Sequence, residues 1–427
     1  MGPPDRDIAF QMSGSNLRYG PGVTREVGMD LQEMSAQRVL VVTDPRVAQL
    51  LPVQTVCESL QQHGIGYDLF DRVRVEPSQQ SFQDAIQTAQ DGNYDAFVAV
   101  GGGSSIDTAK AANLYACWPA DFMDYVNAPI GAGLPVPGPL KPLIAIPTTA
   151  GTGSETTGIA IFDVTERNCK TGIRHRRLRP TLAIIDPENT RTMPPLVAAS
   201  SGLDVLAHAI ESYTAKPYTQ RPYPATPNLR PAYQGSNPIS DVWSLEALRL
   251  MAGNIVRAFE DPSDDHARSH MILAAAYAGM GFGTAGVHLC HAMSYPISSL
   301  VRSYQPPGYP DEHAIVPHGI SVVLSAPAVF RFTACACPER HRRAAEILGA
   351  KTDRVPDADI GKVLSDQLLA LMQTVDVPNG LNAVGFSTDD LPALVEGTLP
   401  QQIRHLASRS TESDDLCQLF EQSMTLW

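Results

Sequence analysis

The chain has 427 residues, 43% of them hydrophobic, more than one ordinary core holds and suited to two domains. A formal net charge of −13 with no Lys/Arg block argues against nucleic-acid and anionic-membrane partners, and no apolar run reaches the roughly 18 residues of a membrane helix. The seven cysteines, at 57, 117, 169, 290, 335, 337 and 417, form no CxxC pair, which reads as reduced thiols in an intracellular protein.

The opening "MGPPDRDIAF" carries neither a signal pattern nor an Arg/Ser-rich amphipathic stretch. The expectation is a cytoplasmic protein, or one of the mitochondrial matrix if a transit peptide has been removed. Strand-like runs follow at Arg38–Asp44 (RVLVVTD), Ala96–Val100, Pro142–Thr149, Gly158–Val164 and Thr181–Pro187, separated by helix-like stretches over much of the region. Such alternation predicts a parallel sheet covered by helices. After "TMPPLVAAS" the period changes to three-to-four in "LDVLAHAIESY", "DVWSLEALRLMAGNIVRAFE", "ARSHMILAAAYAGMGF" and "ADIGKVLSDQLLALMQTV", which predicts amphipathic helices. The boundary falls near residue 199, giving an α/β domain over 1–199 and an all-helical domain over 200–427. Within the second, Ala215–Ser240 has six prolines among 26 residues and is expected to be a long loop.

Five motifs carry candidate chemistry. In "VAVGGGSSIDTAK" (Val98–Lys110) a strand runs into Gly101, Gly102 and Gly103 and then a helix. Side-chain-free residues at a helix N-terminus let phosphates approach the backbone amides, although a tight turn alone needs the same glycines. Asp44, directly after a strand, suits an adenosine ribose and would repel a 2′-phosphate; it equally suits an ordinary turn before Pro45. The loop "IPTTAGTGSETTG" (Ile146–Gly158) offers hydroxyls and open amides to a polar ligand, or is an irregular connection rich in turn formers. Asp204 and His208 are four apart on a predicted helix, so they share a face and suit a divalent transition metal; if buried, they need a partner. "HLCHAMSYPISSL…IVPHGIS" adds His288, His291 and His318, each a ligand candidate or a structural histidine.

Together these stretches, with "DYVNAPIG", "RPAYQGSNPISD" and "GVHLCHAMSYPIS…VPHG", resemble the iron-containing (group III) alcohol dehydrogenase family over nearly the whole chain, most closely its hydroxyacid–oxoacid transhydrogenase branch. The resemblance implies a dehydroquinate synthase-like fold: an N-terminal α/β dinucleotide-binding domain and an all-α metal-binding C-terminal domain, with metal and substrate in the cleft between. It implies a metal held by Asp204, His208, His291 and His318, with His288 outside the ligand set. Cofactor contacts map to Asp44, Gly101, Gly102, Gly103, Ser104, Asp107, Thr148, Thr149, Thr152, Thr157 and Lys170. The implied cofactors are NAD and Fe²⁺, with Zn²⁺ or another divalent ion as a substitute. The implied activity moves hydride through a bound NAD from a hydroxyacid such as 4-hydroxybutyrate to an oxoacid such as 2-oxoglutarate. The alternatives are a conventional NAD-dependent alcohol dehydrogenase, acting on alcohols and aldehydes with exchanging cofactor, and a non-catalytic metal and nucleotide binder. A homo-oligomer, a dimer, is expected.

One position departs from the pattern. Tyr295 stands where many family members have a histidine thought to assist proton movement, and a phenol is a poor base at neutral pH. Arg174–Pro180 (RHRRLRP), Arg221 and Arg230 are the candidate cations for substrate carboxylates, against the reading that they form solvated basic surface.

Overall fold

A computed structural model describes residues 5–427 except 13, 168, 311 and 312. Two compact units divide the chain. One contains Gly14–Met193 and Pro262–Ala276; the other contains the N-terminal segment, Pro194–Asp261 and Tyr277–Trp427.

The α/β unit is built from β1 (Leu17–Tyr19), α1 (Val27–Glu33), β2 (Arg38–Val42), α2 (Leu51–Gln62), β3 (Gly66–Phe70), α3 (Gln79–Gly92), β4 (Ala96–Gly101), α4 (Gly103–Cys117), β5 (Leu143–Pro147), β6 (Ile159–Val164), β7 (Cys169–Arg174) and β8 (Leu182–Ile185). Six strands form one parallel sheet in the order β1-β8-β5-β4-β2-β3. Its central strands are continuous apolar runs because both faces are covered. Val39, Val41, Val98, Val100, Ile144 and Ile146 face a cluster with Val27, Leu31, Val53, Val56 and Leu60 of α1 and α2. Their alternates Leu40, Val42, Phe97, Ala99 and Ala145 face Ala85, Ala89, Ile106, Ala109 and Ala112 of α3 and α4. The chain moves outward from β2 to β3, then returns past β2 to β4 and onward to β5. Strand order therefore reverses between β2 and β4, and the crevice beyond their C-terminal ends is where open α/β sheets bind ligands.

Gly158–Val164 behaves differently from the expectation of an all-parallel sheet. β6 pairs antiparallel with β7 in a separate two-stranded sheet. Between β5 and β6 there is only a loop with one short turn, Ser154–Thr156. A parallel crossover needs a dozen or more residues, usually helical, so β6 turns back on β7 instead.

The other unit is helical: α5 (Pro195–Thr214), α6 (Pro238–Glu260), α7 (Asp265–Ala285), α8 (Leu289–Ser299), α9 (His318–Val323), α10 (Ala326–Thr333), α11 (Pro338–Ile347), α12 (Ile360–Thr374), α13 (Leu391–Thr398) and α14 (Ser413–Gln422); α7 belongs to it from Tyr277 onward. The long α5 is buried along nearly all of its last three turns and packs on α6 and α9. The proline-rich stretch is irregular apart from two short turns, Tyr218–Gln220 and Pro227–Leu229, until Pro238 opens α6. Among the described residues, no single helix is long and apolar enough to cross a membrane.

Candidate active site

In the α/β unit Asp44, the glycine turn and Thr148, Thr149 and Thr152, all among the predicted cofactor residues, gather at the reversal point. Asp44 follows β2, and its Oδ1 accepts the Arg46 and Val47 amides, both at 3.0 Å. Gly101 ends β4 with φ +151, and a Cβ there would strike the Ser105 side chain and lie 3.7 Å from Asp44 Oδ2. A Cβ on Gly102 would sit 3.3 Å from Thr149 Cγ2, and one on Gly103 2.7 Å from Thr152 Cγ2. Side chains at these glycines would fill the space between the turn and the threonine loop, so the cradle depends on their absence. α4 starts at Gly103 with no side-chain cap, leaving its first amides for an anion. Thr148 donates its amide to the Gly101 carbonyl at 3.0 Å, which ties the two loops together, and Thr148 and Thr157 are buried. The geometry fits a dinucleotide's phosphates and ribose.

Asp107 and Lys170 are engaged within the protein. Asp107 accepts from Ser154 Oγ at 2.5 Å and from the Ile161 amide at 2.9 Å. Beside it Lys110, wholly buried, donates to Ser154 Oγ and the Ile159 carbonyl, both at 2.6 Å. These bonds staple α4 to the threonine loop and to β6. Lys170 pairs with Glu76 and lies 3.9 Å from Asp163 Oδ1. The Glu76 amide donates to Ser104 Oγ at 3.2 Å, so Lys170 connects to the glycine turn through Glu76.

In the helical unit, three histidines converge on one aspartate. The Nε2 atoms of His208, His291 and His318 lie 3.6, 3.5 and 3.8 Å from Asp204 Oδ1. Asp204 and His208 stand one turn apart on α5, His291 is in the first turn of α8, and His318 opens α9. Gly319 permits the close approach of α9, since a Cβ there would run into the Ser200 carbonyl and sit 3.1 Å from Asp204 Cβ. Phe282 stacks on His208 with ring centroids 3.9 Å apart. Both Asp204 oxygens, His208 Nδ1 and His291 Nε2 are buried without a hydrogen-bond partner among the described residues. Buried orphan atoms of this kind are costly. Oxygen and imidazole donors from Asp204, His208 and His291 within 4.8 Å of one another fit a divalent transition metal.

Glu211, absent from the expected site residues, lies behind the cluster with no solvent exposure of its side chain. It stands at i+7 from Asp204 on the same face of α5, a spacing visible in the sequence. Its carboxylate takes the Cys290 amide at 2.6 Å, lies 3.0 Å from His288 Nδ1, and accepts from His291 Nδ1. His288 therefore joins the support: its Nε2 bonds Thr214 Oγ1 at 3.1 Å, facing away from Asp204.

Electrostatics follow from this packing. Burial works to raise the Asp204 carboxyl, but His208, His318 and His291 hold it below the usual carboxylate range. Burial drives His208 down to about 3 against the pull of Asp204. For His291 burial is outweighed by Glu211 and Asp204, which lift it to about 9. Glu211, despite its burial, is held well below its usual value by His288 and His291.

Tyr295 is buried on α8, four residues after His291 and so on the same side of that helix. Arg221 and Arg230 serve a different purpose from the one considered for them. Both bond the buried Asp7 carboxylate, at 2.7 Å and 2.9 Å, fastening the N-terminal segment to the proline-rich loop. Arg179 donates to the Thr156 carbonyl at 2.9 Å.

Residues 14–187 match the family described as iron-containing alcohol dehydrogenase, and residues 232–424 match the C-terminal part of the Fe-containing alcohol dehydrogenase family. The chain belongs to the iron-containing alcohol dehydrogenase family. Relatives of this chain include a Rattus norvegicus and a Homo sapiens protein, each named "Hydroxyacid-oxoacid transhydrogenase, mitochondrial" and each 57% identical over 424 residues, or 99% of this chain and 91% of the relative. Among solved structures, a 1,3-propanediol oxidoreductase superposes with a TM-score of 0.85 at 26% identity, covering 97% of this chain and all of that one. A sulfoacetaldehyde reductase from Bifidobacterium kashiwanohense in complex with NAD+ superposes with a TM-score of 0.80, covering 99% of this chain and 100% of that one; at 22% identity it speaks for the fold alone.

Proposed function

We propose that the chain is a metal-dependent hydroxyacid–oxoacid transhydrogenase. The reading is carried by 57% identity to relatives of that name across 99% of this chain. A hydroxyacid such as 4-hydroxybutyrate loses a hydride and a proton and leaves as succinate semialdehyde. An oxoacid such as 2-oxoglutarate gains both and leaves as 2-hydroxyglutarate.

When bound, NAD stores the hydride between the two halves, and a divalent cation, Fe²⁺ in this reading, polarises the substrate oxygen. The chain's own residues do the rest. Asp204, His208, His291 and His318 hold the cation, and Glu211 keeps the Nδ1 proton of His291 so that Nε2 stays open to it. Gly101, Gly102, Gly103 and Ser104 receive the phosphates, Asp44 the ribose, and Thr148, Thr149, Thr152 and Thr157 line the loop beside them. Asp107 positions that loop, and Lys170 anchors the segment beside it. Tyr295 supplies a hydroxyl that hydrogen-bonds the substrate oxygen or passes on its proton. NAD binding is assigned to the α/β unit, Gly14–Met193 with Pro262–Ala276, and metal and substrate binding to the helical unit. The relatives' names support a mitochondrial setting over a cytoplasmic one.

The deciding experiment mixes purified, metal-loaded enzyme with 4-hydroxybutyrate and 2-oxoglutarate and no added NAD. 2-Hydroxyglutarate is expected. Its absence, with turnover of 4-hydroxybutyrate on added NAD, would show a conventional dehydrogenase with exchanging cofactor.

A further inference from the structure

The connection from β3 to α3, residues 71–78, takes a route the fold alone does not require. β3 is the edge strand, and α4 follows β4, two strands away. The connection nevertheless reaches both neighbours at the C-terminal edge of the sheet. The Val73 amide donates to the Thr43 carbonyl, just past β2, at 3.2 Å. The Glu76 amide then donates to Ser104 Oγ, in the first turn of α4, at 3.2 Å. The path from β3 past β2 to α4 crosses the point between β2 and β4 where strand order reverses. There Asp44 and Gly101 face one another.

The far end of this connection is fastened to the β6–β7 hairpin. Asp163 of β6 donates its amide to the Pro77 carbonyl at 2.7 Å, and Ser78 forms a parallel bridge with Asp163. Lys170 of β7, 2% exposed, pairs with the Glu76 carboxylate. Arg74 Nη1 donates to the Glu76 carbonyl at 3.1 Å. Glu76 holds all this with φ +54, a left-handed conformation that costs a non-glycine residue about 1 kcal/mol or more and persists only where surrounding contacts enforce it. A glycine at 76 would relieve that cost but could not reach Lys170.

We propose that residues 71–78 form a strap over the dinucleotide crevice, and that the Glu76–Lys170 pair is the clasp that retains NAD between the two half-reactions. Glu76 is then a positioning residue for the cofactor. Its partner Lys170 is charge-balanced by Glu76 and acts through the strap rather than as a lone phosphate-binding cation. This rests on the transhydrogenase reading, in which a cofactor that stays bound is the property to be explained.

The test uses full-length, metal-loaded enzyme and two variants, Glu76→Gln and Glu76→Gly. The first is isosteric and uncharged. The second removes the carboxylate while favouring the backbone conformation, so the clasp is lost without added strain. Each is desalted, its bound NAD is measured after acid release, and NADH dissociation is followed by fluorescence on dilution into excess NAD; thermal melts check folding. Both variants are expected to release NADH about tenfold faster than wild type, the ratio of one lost charge-assisted hydrogen bond. They are also expected to need added NAD for transfer from 4-hydroxybutyrate to 2-oxoglutarate, with the change falling on KM for NAD more than on kcat. Folded variants that release NADH at the wild-type rate would overturn the clasp. If the wild type itself fails to transfer without added NAD, the transhydrogenase reading fails, and the ratio of release rates still decides the clasp.

Discussion

Glu211 accepts a hydrogen bond from His291 Nδ1, on the side of the ring opposite the Nε2 that lies 3.5 Å from Asp204 Oδ1. An imidazole that donates at one nitrogen presents a lone pair at the other, so this contact sets the tautomer that a metal ligand needs. Glu211→Gln keeps the volume and replaces the anionic acceptor with a neutral amide. Metal affinity is expected to fall 10–100-fold, the range found when such supporting partners are removed. Dialysis against graded chelator with elemental analysis measures it. Unchanged metal retention would remove Glu211 from this role.

The two neighbouring histidines are expected to respond differently. His291→Ala removes a donor and should leave the protein with little bound metal. His288→Ala leaves the Asp204 cluster intact but strips one partner from Glu211 and one from Thr214, both buried. That change should cost about 1–3 kcal/mol of stability with metal stoichiometry retained. Urea unfolding and elemental analysis on the same samples separate the outcomes, and equal metal loss in both variants would contradict the assignment.

How much of this was legible in the sequence depends on distance along the chain and on which faces are covered. β2, β4 and β5 read directly because helices cover both sides and, Arg38 at the exposed start of β2 apart, every position is apolar. β3 did not: its five residues GYDLF lie at a sheet edge, and only Phe70 is buried. β7, CKTGIR, carries its polar pairing partners inside a hairpin and shows no apolar run. Asp204 and His208 shared a helix face by spacing alone, and Glu211 followed the same rule at i+7. Glu76 had no local signal, because its partner Lys170 is 94 residues away. Arg221 looked like a substrate cation for the same reason: its aspartate, Asp7, is 214 residues distant.

Lys110 illustrates the cost of that hidden wiring. It is wholly buried and donates to Ser154, Ile159 and Asp107. Lys110→Met fills the volume but leaves Asp107 without its countercharge and the Ile159 carbonyl without its donor. Breaking a buried pair from one side is expected to destabilise by about 3–5 kcal/mol, read as a lowered urea midpoint. Because the same bonds staple the threonine loop to α4, the helix that follows the glycine turn, the NAD dissociation constant should rise as well. A variant as stable as wild type would show that the cost of burying Lys110 cancels what its bonds contribute.

Glu155 gives a pH dependence of definite sign. Burial raises its carboxyl from 4.5 to about 7, with Lys110 pulling the other way. A carboxyl whose folded value lies above its unfolded one binds its proton more tightly in the folded state. Its contribution is therefore fully present below the unfolded value of 4.5 and is lost as pH rises through about 7. The amplitude is of the order of 3 kcal/mol, at 1.36 kcal/mol per unit. Glu155→Gln cannot ionise, so its stability relative to wild type should increase between about pH 4.5 and pH 7 and level off above that. Urea unfolding of both proteins at pH 5, 6, 7 and 8 gives the difference curve directly. A flat difference across that window would mean that the Glu155 carboxyl is ionised at little cost, with Lys110 compensating its burial in full.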